Sequence, residues 1–323
     1  MNKALVQVKN LKKYFTVEAG MFSKKKGFIH AVDDVSFEIY KRETLGLVGE
    51  SGCGKTTLGR LIIRLLEPTE GEVYFEDKNI FKIEPEVLRN FRKNMQIIFQ
   101  DPDASLNPRM RVMDIISEPL TTQSVLNGRE KSERVKELMG TVALRESYMR
   151  RYPHQISGGQ KQRIGIARAL ALNPKLIVCD EPVSALDVSI RSQILNLLNK
   201  LQEKLNLTYL FISHDLSVIK TISDRIGVMF LGKIVELGTT EKIFEHQLHP
   251  YTKFLLSALP LPNPHLRDRE QNILKGEIPS PINLPSGCRF HTRCPYVRDR
   301  CKNEEPELIK HGDHLAACHF VLE

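Results

Sequence analysis

Nine consecutive residues, Gly49-Glu50-Ser51-Gly52-Cys53-Gly54-Lys55-Thr56-Thr57, combine three glycines with a lysine and two threonines. The first eight fit G-x-x-x-x-G-K-[ST], placed after an apolar strand pattern and before a helical one, which is the context that a phosphate-binding loop requires. Glycines let the backbone curl until successive N–H groups converge on phosphate oxygens, and the following helix directs its positive end to the same point. Lys55 then reaches the outer phosphates and the Thr56 hydroxyl ligates Mg²⁺. Cys53 fills a free position as a small residue. A second set of groups lies in Leu176–Pro182, "LIVCDEP". Four apolar residues bury a strand there, and Asp180 emerges at its carboxyl end, where it can hold Mg²⁺ through water. Glu181 follows directly and can orient and polarise an attacking water. Cys179 reads as core.

The stretch "ISGGQKQRIGIARAL" opens a long helix with Ser157-Gly158-Gly159-Gln160, a second anion-binding helix start. It makes sense if it presses on the same γ-phosphate from another subunit. This stretch resembles the signature of ABC-type ATPases, and the resemblance covers roughly residues 1 to 255. It implies further roles. Gln100 in "IIFQDP" matches the glutamine that touches Mg²⁺ and water and senses the membrane partner. Asp187, ending "SALD", matches the loop that crosses the dimer interface. His214 in "FISHD" matches the switch histidine on the γ-phosphate. Phe15, or its neighbour Tyr14, falls where the family stacks an aromatic on adenine, and spacing favours Phe15. No motif position departs from the family pattern, so an intact ATPase is expected.

"HPYTKFLLSALP", "GEIPSPINLPSGCRFHTRCP", "QDPDASLNPRM" and "EPVSALDVSIRSQILNLL" resemble the oligopeptide/dipeptide importer ATPases, which extends the likeness to essentially the whole chain. The resemblance implies an ATP-hydrolysing subunit that energises peptide import. A second ATPase subunit would close against it beneath two membrane permeases, with an external binding protein delivering the peptide. Relatives in this group carry nickel or glutathione, which stay open as solutes. A soluble ABC ATPase of nucleic-acid maintenance or iron–sulfur assembly is the alternative from another class; the "HPYT" region argues against it.

Six cysteines are unevenly spread. Cys288, Cys294, Cys301 and Cys318 crowd the end of the chain, without the tight C-x2-4-C knuckles of structural zinc. Loosely spaced thiolates with Pro295 after Cys294 suit an iron–sulfur cluster better. The resemblance implies a [4Fe-4S] cluster here, with zinc or no metal as alternatives. His291, His311, His314 and His319 lie nearby and could replace a ligand.

Positioning these groups calls for buried strands feeding loops. "TLGLVGE", "LIVCDEP" and "TYLFISHD" read as buried strands of the parallel-sheet kind, and strands alternating with helices give an α/β fold. The resemblance makes this a P-loop NTPase core of RecA-like type. "ALVQVKNL" and "VDDVSFEIY" alternate like a half-exposed antiparallel subdomain. "RIGVMFLGKIVELG" reads as a closing hairpin. The middle of the chain, about residues 100–165, is an inserted helical subdomain. Residues 1–255 form the nucleotide-binding domain and residues 256–323 the extension with four cysteines, after the proline-rich linker "ALPLPNPHLRDRE".

The chain has 323 residues, 41% of them hydrophobic, enough for a real core, and a formal net charge of +8. That charge permits contact with anionic surfaces. Without aromatic-interleaved basic stretches, however, nucleic acid is not the expected partner. "FSKKKGF", Phe22 to Phe28, is the one basic cluster and reads as a loop. No run approaches the ~18 apolar residues of a membrane helix, and the polar N-terminus is no secretory signal. The expected location is cytoplasmic, peripheral on the inner face of the membrane.

Overall fold

The computed structural model describes residues 3–17, 27–123, 126–258, 279–312 and 314–322. The proline-rich stretch after Ser257 and most of "FSKKKGF" lie outside the described residues; Gly27 and Phe28 begin a strand. Two compact units result, each discontinuous in sequence.

The first unit gathers residues 1–5, 39–44 and 78–212. Its strands Met95–Ile98, Leu176–Asp180 and Thr208–Ile212 lie side by side and parallel, with Leu176 beside Met95 and Asp180 beside Ile212. The last two are buried throughout, so they read as continuous apolar runs rather than alternating ones. Helices Val112–Thr122, Gly128–Thr141 and Gly158–Leu170 pack on one another. Ile115, Ile116, Leu138, Met139, Ile164 and Ile166 turn inward at helical spacing and are buried. Arg168, itself mostly buried, crosses from the last of these helices to donate to the Ser105 carbonyl at 2.8 Å.

The second unit gathers residues 6–38, 45–77 and 213–323. Strands Gly27–Tyr40, Ala4–Val17 and Glu70–Phe75 neighbour one another in that order, and the latter two pair antiparallel, Val6 opposite Phe75. Strand Thr44–Val48 runs parallel to Arg225–Phe230, which turns back antiparallel into Lys233–Thr239. The expected closing hairpin is therefore present. Leu231 and Gly232 make its two-residue turn with φ of 42° and 83°, positive at both central positions as such a tight hairpin demands.

The end of the chain joins this same sheet. His314–Ala316 pairs antiparallel with Lys233–Thr239, Glu236 opposite Ala316, and Ile309–His311 pairs antiparallel on its other side. The fully buried Glu236 anchors the junction. Its carboxylate accepts the Leu248 and His249 N–H groups at 2.7 and 3.0 Å and lies 2.9 Å from His314 Nε2. The described part of the cysteine-bearing segment thus shares a compact unit with the phosphate loop.

Candidate nucleotide site

In the second unit, the buried strand Thr44–Val48 delivers the chain to Gly49, and helix Lys55–Ile62 carries it away. Gly49 and Gly54 hold φ of 152° and 108°, and a Cβ on either would come within 2.1 Å of the Met229 carbonyl or 1.9 Å of the Ala31 carbonyl. Only glycine permits both the curl and this close approach of backbones. Gly52, with φ 80°, has open space where a side chain would stand. Lys55 is buried, and its ammonium donates to the carbonyls of Gly49 at 2.7 Å and Glu50 at 3.0 Å. Cys53 Sγ lies 3.6 Å from the same ammonium, and burial pushes its thiol up, away from reactivity. Ser51 is exposed at the loop's crest, while Thr56 and Thr57 are half-buried on the helix's first turn. His214 stands exposed just beyond Ser213, whose N–H donates to the Leu47 carbonyl on the strand that feeds the loop.

The two aromatic candidates differ. The Tyr14 ring lies 4.3 Å from that of His30, and its hydroxyl donates to Asp33 at 2.5 Å. Phe15 keeps no such tie; Lys13 Nζ sits 5.1 Å over its ring. Burial and the Asp33 hydrogen bond both push the Tyr14 hydroxyl up. Burial alone would raise the Asp33 carboxyl, but hydrogen bonds from Tyr14 and Arg289 outweigh it and hold the group below its ordinary value.

In the first unit, Asp180 is buried at the end of its strand and Glu181 is the next residue. Glu181 has φ 46°, a left-handed conformation uncommon outside glycine, and its N–H is pinned to the Ile212 carbonyl at 3.0 Å. Its carboxylate accepts from Gln100 Nε2 at 3.0 Å. The structure therefore brings together two residues 81 positions apart, both singled out by sequence. Ser157 precedes helix Gly158–Leu170, and its N–H donates to Gln160 Oε1 at 3.2 Å. Ser157 and Gly158 are exposed. A Cβ on Gly159 would stand 2.6 Å from Ile190 and one on Gly158 3.8 Å from Leu186, so this helix start abuts the loop that ends at Asp187 and the first turn of the helix after it. Asp187 caps helix Val188–Leu205 by accepting from Ile190 N–H at 3.0 Å, and that bond holds its carboxyl below the ordinary range. Val188, the next residue in the chain, is 76% exposed, an apolar side chain left uncovered.

The four cysteines of the tail line one cavity of about 20 Å³ together with His249, His291, His319, Phe290, Tyr296 and Phe320. Burial pushes the Cys288 thiol up to about 12 and that of Cys294 to about 11, and the neighbouring sulfurs add to both shifts. Burial also raises Cys318. Among the described residues, no three histidine, cysteine or acidic side chains lie within reach of one metal ion.

Sequence reasoning missed two residues that touch the phosphate loop, Tyr251 and Arg293, and a third, Arg289, that holds a neighbouring turn. The Tyr251 hydroxyl accepts from Glu50 N–H at 2.9 Å, and Arg293 clasps the Glu50 carboxylate at 2.8 and 3.2 Å. Arg289 pairs with Asp33 and donates to the Leu231 carbonyl. The "HPY" triplet that marks the subgroup has a local reason. His249 Nδ1 caps helix Pro250–Ser257 by accepting from Tyr251 N–H at 3.1 Å, which aims Tyr251 at the loop.

Comparison with known proteins agrees with this geometry. The ABC transporter family matches residues 32–184, and the family described as "Oligopeptide/dipeptide transporter, C-terminal region" matches residues 235–301. The chain is 53% identical over 321 residues to the oligopeptide transport ATP-binding protein AppF of Bacillus subtilis, covering 98% of each. It is 50% identical over 321 residues to the dipeptide transport ATP-binding protein DppF of Haemophilus influenzae, covering 99% of this chain and 98% of that one. Among solved structures, a dimeric post-hydrolysis ATP-binding cassette bound to ADP and Pi matches with a TM-score of 0.64 at 32% identity, covering 73% of this chain and 98% of the other. Full-length identity of this order, joined to both family matches, means that the chain belongs to the ABC transporter family, among the ATP-binding subunits that carry the oligopeptide/dipeptide transporter C-terminal region.

Proposed function

We propose that the chain is the ATPase that energises import of dipeptides or oligopeptides. What carries the reading is identity along the whole chain, the C-terminal region included, to subunits named for oligopeptide and dipeptide transport. Lys55 and the amides of Gly49–Thr56 hold the ATP phosphates, with Thr57 behind them. Thr56, Asp180 and Gln100 hold Mg²⁺, which neutralises charge on the phosphates. Glu181, kept in place by its pinned N–H and by Gln100, orients the attacking water and takes its proton. His214 contacts the γ-phosphate. Phe15, beside Tyr14, stacks on adenine.

Ser157, Gly158, Gly159 and Gln160 act on the nucleotide of a second ATPase subunit, with Asp187 crossing the interface. The exposure of Ser157, Gly158, Asp187 and Val188 supports this, and the dimeric cassette among the solved structures has the same fold. Closure and reopening of that dimer would drive two membrane permeases, which an external binding protein supplies with peptide. No described helix is long and apolar enough to cross a membrane. As the partner of the permeases, the chain would sit peripherally on the inner face. Disruption of the gene in its own host should abolish uptake of labelled di- or oligopeptides. Loss of nickel or glutathione uptake with peptide uptake intact would redirect the assignment.

Cys288, Cys294, Cys301 and Cys318 would hold a [4Fe-4S] cluster. Their convergence on one cavity supports it. Its role would be to fasten the chain's end. Purification without oxygen followed by iron, acid-labile sulfide and zinc analysis tests this: about four irons and four sulfides per chain are expected, whereas zinc alone would make it a structural zinc site.

A further inference from the structure

The turn between Cys288 and Cys294 acts on the phosphate loop at two points, once directly and once through the Leu231–Gly232 turn, and neither contact follows from the ATPase motifs. Arg293 is the first. Its guanidinium, 6% exposed, forks onto both carboxylate oxygens of Glu50. A bidentate pair fixes orientation as well as distance. The same loop residue gives its N–H to the Tyr251 hydroxyl. Lys55 donates to the carbonyls of Gly49 and Glu50. The Gly49–Glu50 segment is thus held by the phosphate-binding lysine through its carbonyls and by Arg293 and Tyr251 through the Glu50 carboxylate and N–H. Arg289 is the second point. It holds the Leu231 carbonyl, and the next residue, Gly232, donates its N–H to the Cys53 carbonyl at 2.9 Å. Arg289 also holds Asp33, the acceptor for Tyr14.

The turn is rigid enough to position something. His291 N–H donates to the Cys288 carbonyl at 2.9 Å and Arg293 N–H to the Phe290 carbonyl at 3.0 Å. Phe290 is buried, its ring 5.4 Å from both Phe230 and Tyr251. A side chain held this way loses little freedom when it makes its contact.

We propose that Arg293 and Tyr251 are positioning residues for nucleotide binding: they fix the Gly49–Glu50 backbone whose carbonyls orient Lys55, with Arg289 supporting the loop through the Leu231–Gly232 turn. The end of the chain is by this account a working part of the phosphate site. The inference rests on the reading of this loop as the ATP site. Because binding at two linked sites is reciprocal, nucleotide binding and the order of the cysteine-bearing turn should stabilise each other.

The test is equilibrium binding of MgATP to the full-length chain, with the unfolding temperature of the nucleotide-free protein measured alongside. If the wild-type chain fails to bind MgATP, the ATP-site reading itself fails, and with it this inference. If it binds, R293Q should weaken the affinity about tenfold, the scale of one charge-assisted hydrogen-bonded pair, with R293K recovering part of the loss. E50Q combined with R293Q should cost little more than R293Q alone, since the two act as one unit. Y251F, which removes a single hydroxyl and so keeps the test open if R293Q does not fold, should weaken binding about threefold. Unchanged MgATP affinity in R293Q or Y251F, even with a lowered unfolding temperature, would reduce these contacts to structural ones and overturn the proposal. Full additivity of E50Q and R293Q would do the same.

Discussion

His249 should make the protein sensitive to mild acid. The side chain is 1% exposed, and its Nδ1 must stay unprotonated to accept the Tyr251 N–H at 3.1 Å. Burial pushes its pKa down from 6.5 to about 4, against the pull of the neighbouring Glu236 carboxylate. The folded-state value is depressed below the unfolded one. Between those values the unfolded chain takes up a proton that the folded chain refuses, so stability rises with pH across the window. The contribution is complete above about pH 6.5 and drains away as pH falls toward 4. At about 1.4 kcal/mol per pKa unit, the shift corresponds to roughly 3 kcal/mol. His249→Asn keeps a capping acceptor and removes the titration. Urea unfolding followed by circular dichroism from pH 4 to 8 should show wild type losing stability relative to H249N as pH drops from 6.5 to 4, by an amount of this order. A stability difference that stays constant with pH would refute the reasoning, because His249 would then carry the same charge folded and unfolded.

Gly54→Ala would drive a Cβ to 1.9 Å from the Ala31 carbonyl at a φ of 108°. MgATP binding should be lost and the unfolding temperature lowered; a titration matching wild type would show that the loop reshapes freely. Ile164→Ala on helix Gly158–Leu170 removes a fully buried side chain and should cost about 2–5 kcal/mol in urea melts, the range for large-to-small changes in a packed core. A cost under about 1 kcal/mol would mean that the helical region collapses onto the gap.

The parts legible in the sequence were those in which one local stretch dictates both structure and chemistry. Gly49–Thr56 can only curl as it does because Gly49 and Gly54 approach other backbone carbonyls within a side chain's reach. "LIVCD" and "TYLFI", apolar but for Asp180 at one end and Thr208 at the other, are buried strands. The hairpin at Leu231–Gly232 also followed from local pattern. What stayed hidden was set by distant pairing. Arg293 lies 243 residues from Glu50 and Arg289 lies 256 from Asp33, and no periodicity links such partners. The closing strands at Ile309 and His314 are three residues each, too short for alternation to show. The positive φ of Glu181 was equally invisible, because glutamate carries no preference for that conformation. His249 could be seen only as part of a subgroup marker; its cap on Tyr251 gives that marker a physical meaning.

The central claim is that this chain hydrolyses ATP with Glu181 as the residue that activates water. The most direct test compares MgATP turnover of wild type and Glu181→Gln in the assembled transporter, with ATP binding measured on the same samples. The account predicts that E181Q retains ATP binding while turnover falls by about 10² or more, the usual contribution of a positioned general base. Turnover equal to wild type in E181Q, with ATP bound normally, would contradict it.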